Sequence, residues 1–131
     1  MNALLRLFRA VLDHQTPTAR SEGMLRANLT ADQLSQLDAH GYFEVLGGES
    51  GHRFRVCRSP SINVEEFDEA GASLCRWCLL PTGMLPEGDV LLAQKIAIEL
   101  FESEARAIAN VYPARLCRAS RFQRFDVPSG A

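Results

Sequence analysis

The feature that most limits how this chain can fold is a change of hydrophobic period. Between Gly41 and Leu80 apolar side chains recur at every second residue; from about Val90 to Val111 they recur every three or four. Period two sends alternate side chains to opposite faces of a strand, and period 3.6 gathers them into one stripe along a helix. Phe43 and Val45 share one face of a strand at 42–46. Beyond the loop Gly47-Gly48-Glu49-Ser50-Gly51, Phe54 and Val56 point one way and Arg53 and Arg55 the other. The pattern predicts a half-buried antiparallel hairpin with its arginines toward water or a ligand. Ser59-Pro60-Ser61 turns the chain, and Ile62, Val64 and Glu66 then alternate with Asn63, Glu65 and Phe67 in a third strand. Asp68-Glu69-Ala70-Gly71 is a turn, and residues 73–80 read as a fourth strand, apolar enough to be covered on both faces.

The helical period predicts one long helix over about 90–111, with Asp89 as its N-cap and Pro113 as its stop. Leu91, Ile98, Phe101, Ala105 and Ile108 form its stripe, widened by Leu92, Ile96 and Leu100. Lys95, Glu99, Glu102 and Arg106 lie opposite, as two i,i+4 ion pairs on a solvated face. Upstream, Thr30 and Gln33 stand at capping-box spacing before a helix at about 30–40, and Gly41 suits its C-terminal end. Residues 15–22, interrupted by Pro17, read as a connector.

Residues 1–14 form a further helix. Asn2, Arg6, Arg9 and Asp13 make one polar stripe, and Leu4, Leu5, Leu7, Phe8, Val11 and Leu12 fill the rest of its surface. An apolar sector that wide is buried either on the domain's own core or against a partner. Two arginines beside an aspartate are a poor polar face for lying on a membrane.

At 131 residues the chain is long enough for one core and not for two. The expected fold is therefore α+β: a small antiparallel β-meander of three to four strands, packed against one long C-terminal helix, with short N-terminal helices. Its organisation is an amphipathic helix and connector over 1–20, a single α+β domain over 21–112 and an arginine-rich tail over 113–131.

From Gly41 onward three segments, GYFEVLGGESGHRFRV, INVEEFDEAG and WCLLPTGMLPEGDVLLAQKIAIE, make a pattern that ends near Ala109-Asn110. This pattern resembles a family of small uncharacterised bacterial proteins of alphaproteobacterial type. The resemblance covers a little over half of the chain and implies no activity. Family members carry an aliphatic residue where this chain has Cys57, and no cysteine matching Cys75, which counts against a shared metal site.

The residues that carry chemistry form no complete constellation. Cys75-Arg76-Trp77-Cys78 is a CxxC, and with His52 and Cys57 it supplies four N and S ligands of the kind zinc takes. A zinc CxxC sits on a tight knuckle, however, and in a strand Cys75 and Cys78 face opposite sides. Arg115, Arg118, Arg121 and Arg124, interleaved with Tyr112, Phe122 and Phe125, suit phosphate and base stacking, and Arg53 and Arg55 extend that surface. The net charge of −2 argues against a general nucleic-acid field. Glu65, Glu66, Asp68 and Glu69 read as surface charge around a turn. Gly47-Gly48-Glu49-Ser50-Gly51 lacks the lysine and the following helix of a phosphate loop.

No small-molecule substrate is indicated, and no cofactor beyond the zinc alternative. With no 18-residue apolar run and no secretory pattern, a cytoplasmic protein with reduced thiols is expected. The expected function is a non-enzymatic interaction or regulatory module, a homodimer or a small subunit of a larger assembly, working through Leu4, Leu5, Phe8, Val11 and Leu12. Nucleic-acid binding and a zinc-stabilised module are the alternatives.

Overall fold

The computed structural model describes residues 2–114, with the side chains of 10–15 left aside. Its element order is α1 (Ala3–Gln15), α2 (Pro17–Ala27), α3 (Ala31–His40), β1 (Tyr42–Leu46), β2 (Arg53–Cys57), β3 (Val64–Phe67), β4 (Ser73–Cys78), α4 (Glu87–Leu100), α5 (Glu102–Ile108) and β5 (Asn110–Pro113). The architecture is α+β, and the strands form one antiparallel sheet in the order β1-β2-β3-β4-β5.

Short turns place β1 to β4 side by side in sequence order, and β5 returns to pair with β4 after the two helices α4 and α5. The register couples Val45 to Phe54, Val56 to Val64 and Val64 to Trp77. One sheet face therefore carries Phe43, Val45, Phe54, Val56, Val64 and Trp77, all buried. Helix α4 covers that face at β1 and β2, α2 packs on α4, and α3 lies beside β1.

Four expectations are corrected. The meander has five strands: β5, read from sequence as the end of a helix, pairs with β4 through Val111 opposite Trp77. The long helix is two, broken at Phe101, whose backbone leaves the helical region at φ −138° and ψ 46°. Helix α4 also begins at Glu87, two residues before the expected cap at Asp89. Most of the expected connector at 15–22 belongs to α2: Thr16 accepts a hydrogen bond from the Ala19 N–H and Pro17 starts the helix, a position where its missing N–H costs nothing. The capping box of Thr30 and Gln33 is formed, and Gly41 closes α3 at φ 74°.

The ends of α4 are held by distant segments. Ser21 on α2 accepts from the Asp89 N–H at 2.7 Å, and Gly48 in the β1–β2 loop donates its N–H to the Ile98 carbonyl at 3.1 Å. The Asp89 N–H is shared with the Pro86 carbonyl at 3.1 Å, and both contacts tie an end of α4 to a neighbouring segment.

Candidate functional site

The break at Phe101 changes which residues of the C-terminal helices face the sheet. The buried stripe is Leu91, Gln94, Ile98, Glu102 and Ala105, still at helical spacing but with two polar members. Phe101 and Ile108, expected inside, are 53% and 75% exposed. Glu102 and Arg106 are therefore not a solvated pair. Glu102 is buried and accepts from the Ser50 N–H at 3.2 Å and the Ser50 hydroxyl at 2.9 Å. That anchors the glycine-rich loop beneath α5.

The placing of Glu66 is corrected as well. It shares the face of Val64 and is 2% exposed, not part of a surface turn. Its two carboxylate oxygens accept from both terminal nitrogens of Arg106, at 2.9 and 2.7 Å. His52 Nδ1 lies 2.9 Å from Glu66 Oε2, and the Cys75 thiol donates to Oε1 at 3.3 Å. The guanidinium also lies 4.9 Å from the centre of the Trp77 ring. Desolvation is the largest influence on this carboxyl and pushes it up. Hydrogen bonds from Arg106, His52 and Cys75 together outweigh it and hold the group at about 2, below its ordinary 4.5.

This cluster brings a carboxylate, an imidazole, a thiol and a guanidinium together, with the thiol in an unreactive setting. Burial, and then the adjacent Glu66 carboxylate, push the Cys75 thiol up, away from the reactive thiolate. His52 is turned by its Nδ1 toward Glu66 and not toward the thiol. Arg106 takes the position beside the carboxylate that a cation would need. The arrangement does structural work, fastening α5 and the start of β2 to the middle of the sheet.

The four expected zinc ligands are divided between the two sheet faces. Cys75 lies two residues from inward-facing Trp77, whereas Cys78 alternates outward, as does Cys57 beside inward-facing Val56. Among the described residues no group of three His, Cys, Asp or Glu side chains is placed to hold a metal ion.

The outer face of the sheet carries the hairpin arginines, which share one carboxylate. Arg53 and Arg55 both reach Glu44, at 3.4 and 3.6 Å. Arg55 also lies over the rings of Tyr42 and Phe67, at 4.2 and 4.9 Å from their centres. Arg115, Arg118, Arg121 and Arg124 lie outside the described residues.

The surface with no local explanation is α1. Leu4, Leu5, Leu7 and Phe8 are 61–64% exposed, and the helix packs principally on α2 and not on the main core. Val11 and Leu12 are among the side chains left aside. A second apolar surface lies across α4 and α5, where Leu80, Pro81, Ala93, Ala97 and Ile108 line one depression. No helix among the described residues is long and apolar enough to cross a membrane. Searches of protein-family models, of curated proteins and of solved structures find no match to this chain.

Proposed function

We propose that this chain is a non-enzymatic protein-interaction module that associates with itself through α1. The observation that carries the reading is the exposure of four large apolar side chains on one turn and a half of helix. Continuous apolar patches of this kind on a folded surface mark interaction sites. Only Thr16 separates α1 from α2, so the helix stands as an arm on a braced base. That base is firm: Arg26 on α2 pairs with Asp38 on α3, and Arg58 reaches both Glu22 on α2 and Glu87 on α4.

The electrostatics favour this reading over nucleic-acid binding through the hairpin. Arg53 and Arg55 share the carboxylate of Glu44, which offsets one of their two positive charges and weakens the field a phosphate backbone requires. The resemblance to small bacterial proteins and a cytoplasmic setting belong to the same proposal and suit a small soluble assembly subunit.

The test is the mass in solution of the full chain, by light scattering across a concentration series. Self-association should be lost in Leu5→Glu/Phe8→Glu while the melting transition is retained. Loss of folding in that variant would instead make α1 part of the core.

A further inference from the structure

We infer that the α1 arm of one copy seats in the groove between the end of β4, α4 and α5 of a second copy, and that the exchange is reciprocal. The inference rests on the proposal that α1 is the self-association element, and it names the receiving surface.

The groove follows from the sequence of α4. Ala93, Ile96, Ala97 and Leu100 recur at helical spacing and form a stripe distinct from the buried one at Leu91, Gln94 and Ile98. The two alanines leave a depression of about 120 Å³, and Leu80 and Ile108 stand at its sides. Ile96, Leu100 and Ile108 are exposed, so the helix pair offers an apolar surface that nothing in the same chain covers among the described residues. Helix α4 has 14 residues and α1 has 13, so an arm of about 20 Å matches its receiver in length.

Apolar area favours the exchange over pairing arm with arm. At roughly 180 Å² for a large apolar side chain, the four described arm residues expose about 450 Å², and Leu80, Ile96, Leu100 and Ile108 offer a similar amount. Pairing α1 with α1 through those four residues buries about 900 Å² of apolar side chain, whereas two arms on two grooves bury about 1,800 Å² of it, so the exchange removes roughly twice as much apolar surface from water. A reciprocal exchange is also the closed twofold arrangement that leaves neither apolar surface open.

Charge agrees. Arg6 and Arg9 flank the apolar residues of the arm and have no ionic partner among the described residues. Glu104, one turn before Ile108 on the same side of α5, has none either.

The experiment uses the full chain, an arm variant (Leu5→Glu/Phe8→Glu) and a groove variant (Ile96→Glu/Ile108→Glu), examined by sedimentation equilibrium with circular dichroism as the folding control. Each variant alone should be a folded monomer, its dimer dissociation constant raised about 100-fold or more. An equimolar mixture should associate more strongly than either variant alone and more weakly than the parent chain, because one of the two arm–groove contacts is intact in the mixed pair. A groove variant that dimerises like the parent chain overturns the inference and leaves the proposed function standing. A mixture that associates no more strongly than either variant alone overturns arm-in-groove pairing. A parent chain that remains monomeric at high concentration overturns both. Should the groove pair fail to fold, Leu100→Lys at a position 69% exposed carries the same comparison.

Discussion

Arg106 on α5 grips Glu66 on β3 through two parallel hydrogen bonds of 2.9 and 2.7 Å, across 40 residues of sequence. Two-point pairing of guanidinium with carboxylate fixes geometry as well as charge. Removing one partner strands a charge in the interior, which is more damaging than never having had the pair. Arg106→Ala should destabilise the domain by about 3 kcal/mol, near the low end for a broken buried pair because the arginine is partly open to solvent. Replacing both with leucine should recover most of that loss. Urea denaturation of the single and double variants checks the ordering; a single variant within about 0.5 kcal/mol of the parent would contradict it.

The same pair sets a pH dependence. The Glu66 carboxyl is held at about 2 in the folded protein against an ordinary 4.5. A depressed carboxyl contributes stability that is fully present above its unfolded value and fades as pH falls through its folded value. The contribution should therefore be complete above pH about 4.5 and be lost progressively toward pH about 2. Its size is about 3 kcal/mol. Stability curves of the parent and Glu66→Gln, measured from pH 6 to pH 2, should converge by about that amount. Parallel curves would remove Glu66 from the acid response.

Gly48 sits where the β1–β2 loop meets the C-terminal end of α4. A Cβ there would collide with the Glu99 backbone carbonyl, a group that cannot swing aside. Gly48→Ala should lower stability by about 1–3 kcal/mol through forced backbone displacement. Gly23, where an added Cβ meets open space, is the control, and Gly23→Ala should be neutral or mildly stabilising in its helix. Thermal melts of the two variants should move apart by several degrees.

The edge strand β1 is guarded by side chains. Gln33 Nε2 donates to the Glu44 carbonyl at 2.9 Å, and Gln36 Oε1 accepts from the Glu44 N–H at 2.8 Å. Two glutamines thus occupy the backbone groups that another chain's strand would use. Gln36→Ala should cost about 1 kcal/mol, as one hydrogen bond does. It should also raise the aggregation rate on mild heating, read by light scattering. An unchanged rate would mean that α3 protects the edge by bulk alone.

Burial and the Glu66 carboxylate both hold the Cys75 thiol in its protonated form. Its alkylation by iodoacetamide at pH 8 should lag well behind that of the unfolded chain and speed up in Glu66→Gln. Mass spectrometry of the peptide containing Cys75 reports both rates.

The elements that sequence alone determined are those governed by neighbours along the chain. The alternation of Phe43, Val45, Phe54, Val56 and Val64 settled which strand face is buried, because period two leaves no other solution. Thr30, Gln33 and Gly41 bounded α3 by hydrogen bonds spanning a few residues. Glu66 was half legible: its place in the alternation with Val64 pointed inward, and only its charge argued against it. Its partner was not legible, since Arg106 reaches it only after α5 has been set against the sheet. The break at Phe101 has the same origin. Hydrophobicity preferred Phe101 and Ile108 in the core, but burying Glu102 beneath the Ser50 loop and closing the Arg106 pair rotates them to the surface. β5 formed because the open edge of β4 supplies backbone partners that no local signal announces. Local period and capping act over a few residues and are written in the chain. The pairing of buried charges and the completion of a sheet depend on groups 40 residues apart, so only the assembled tertiary structure decides them.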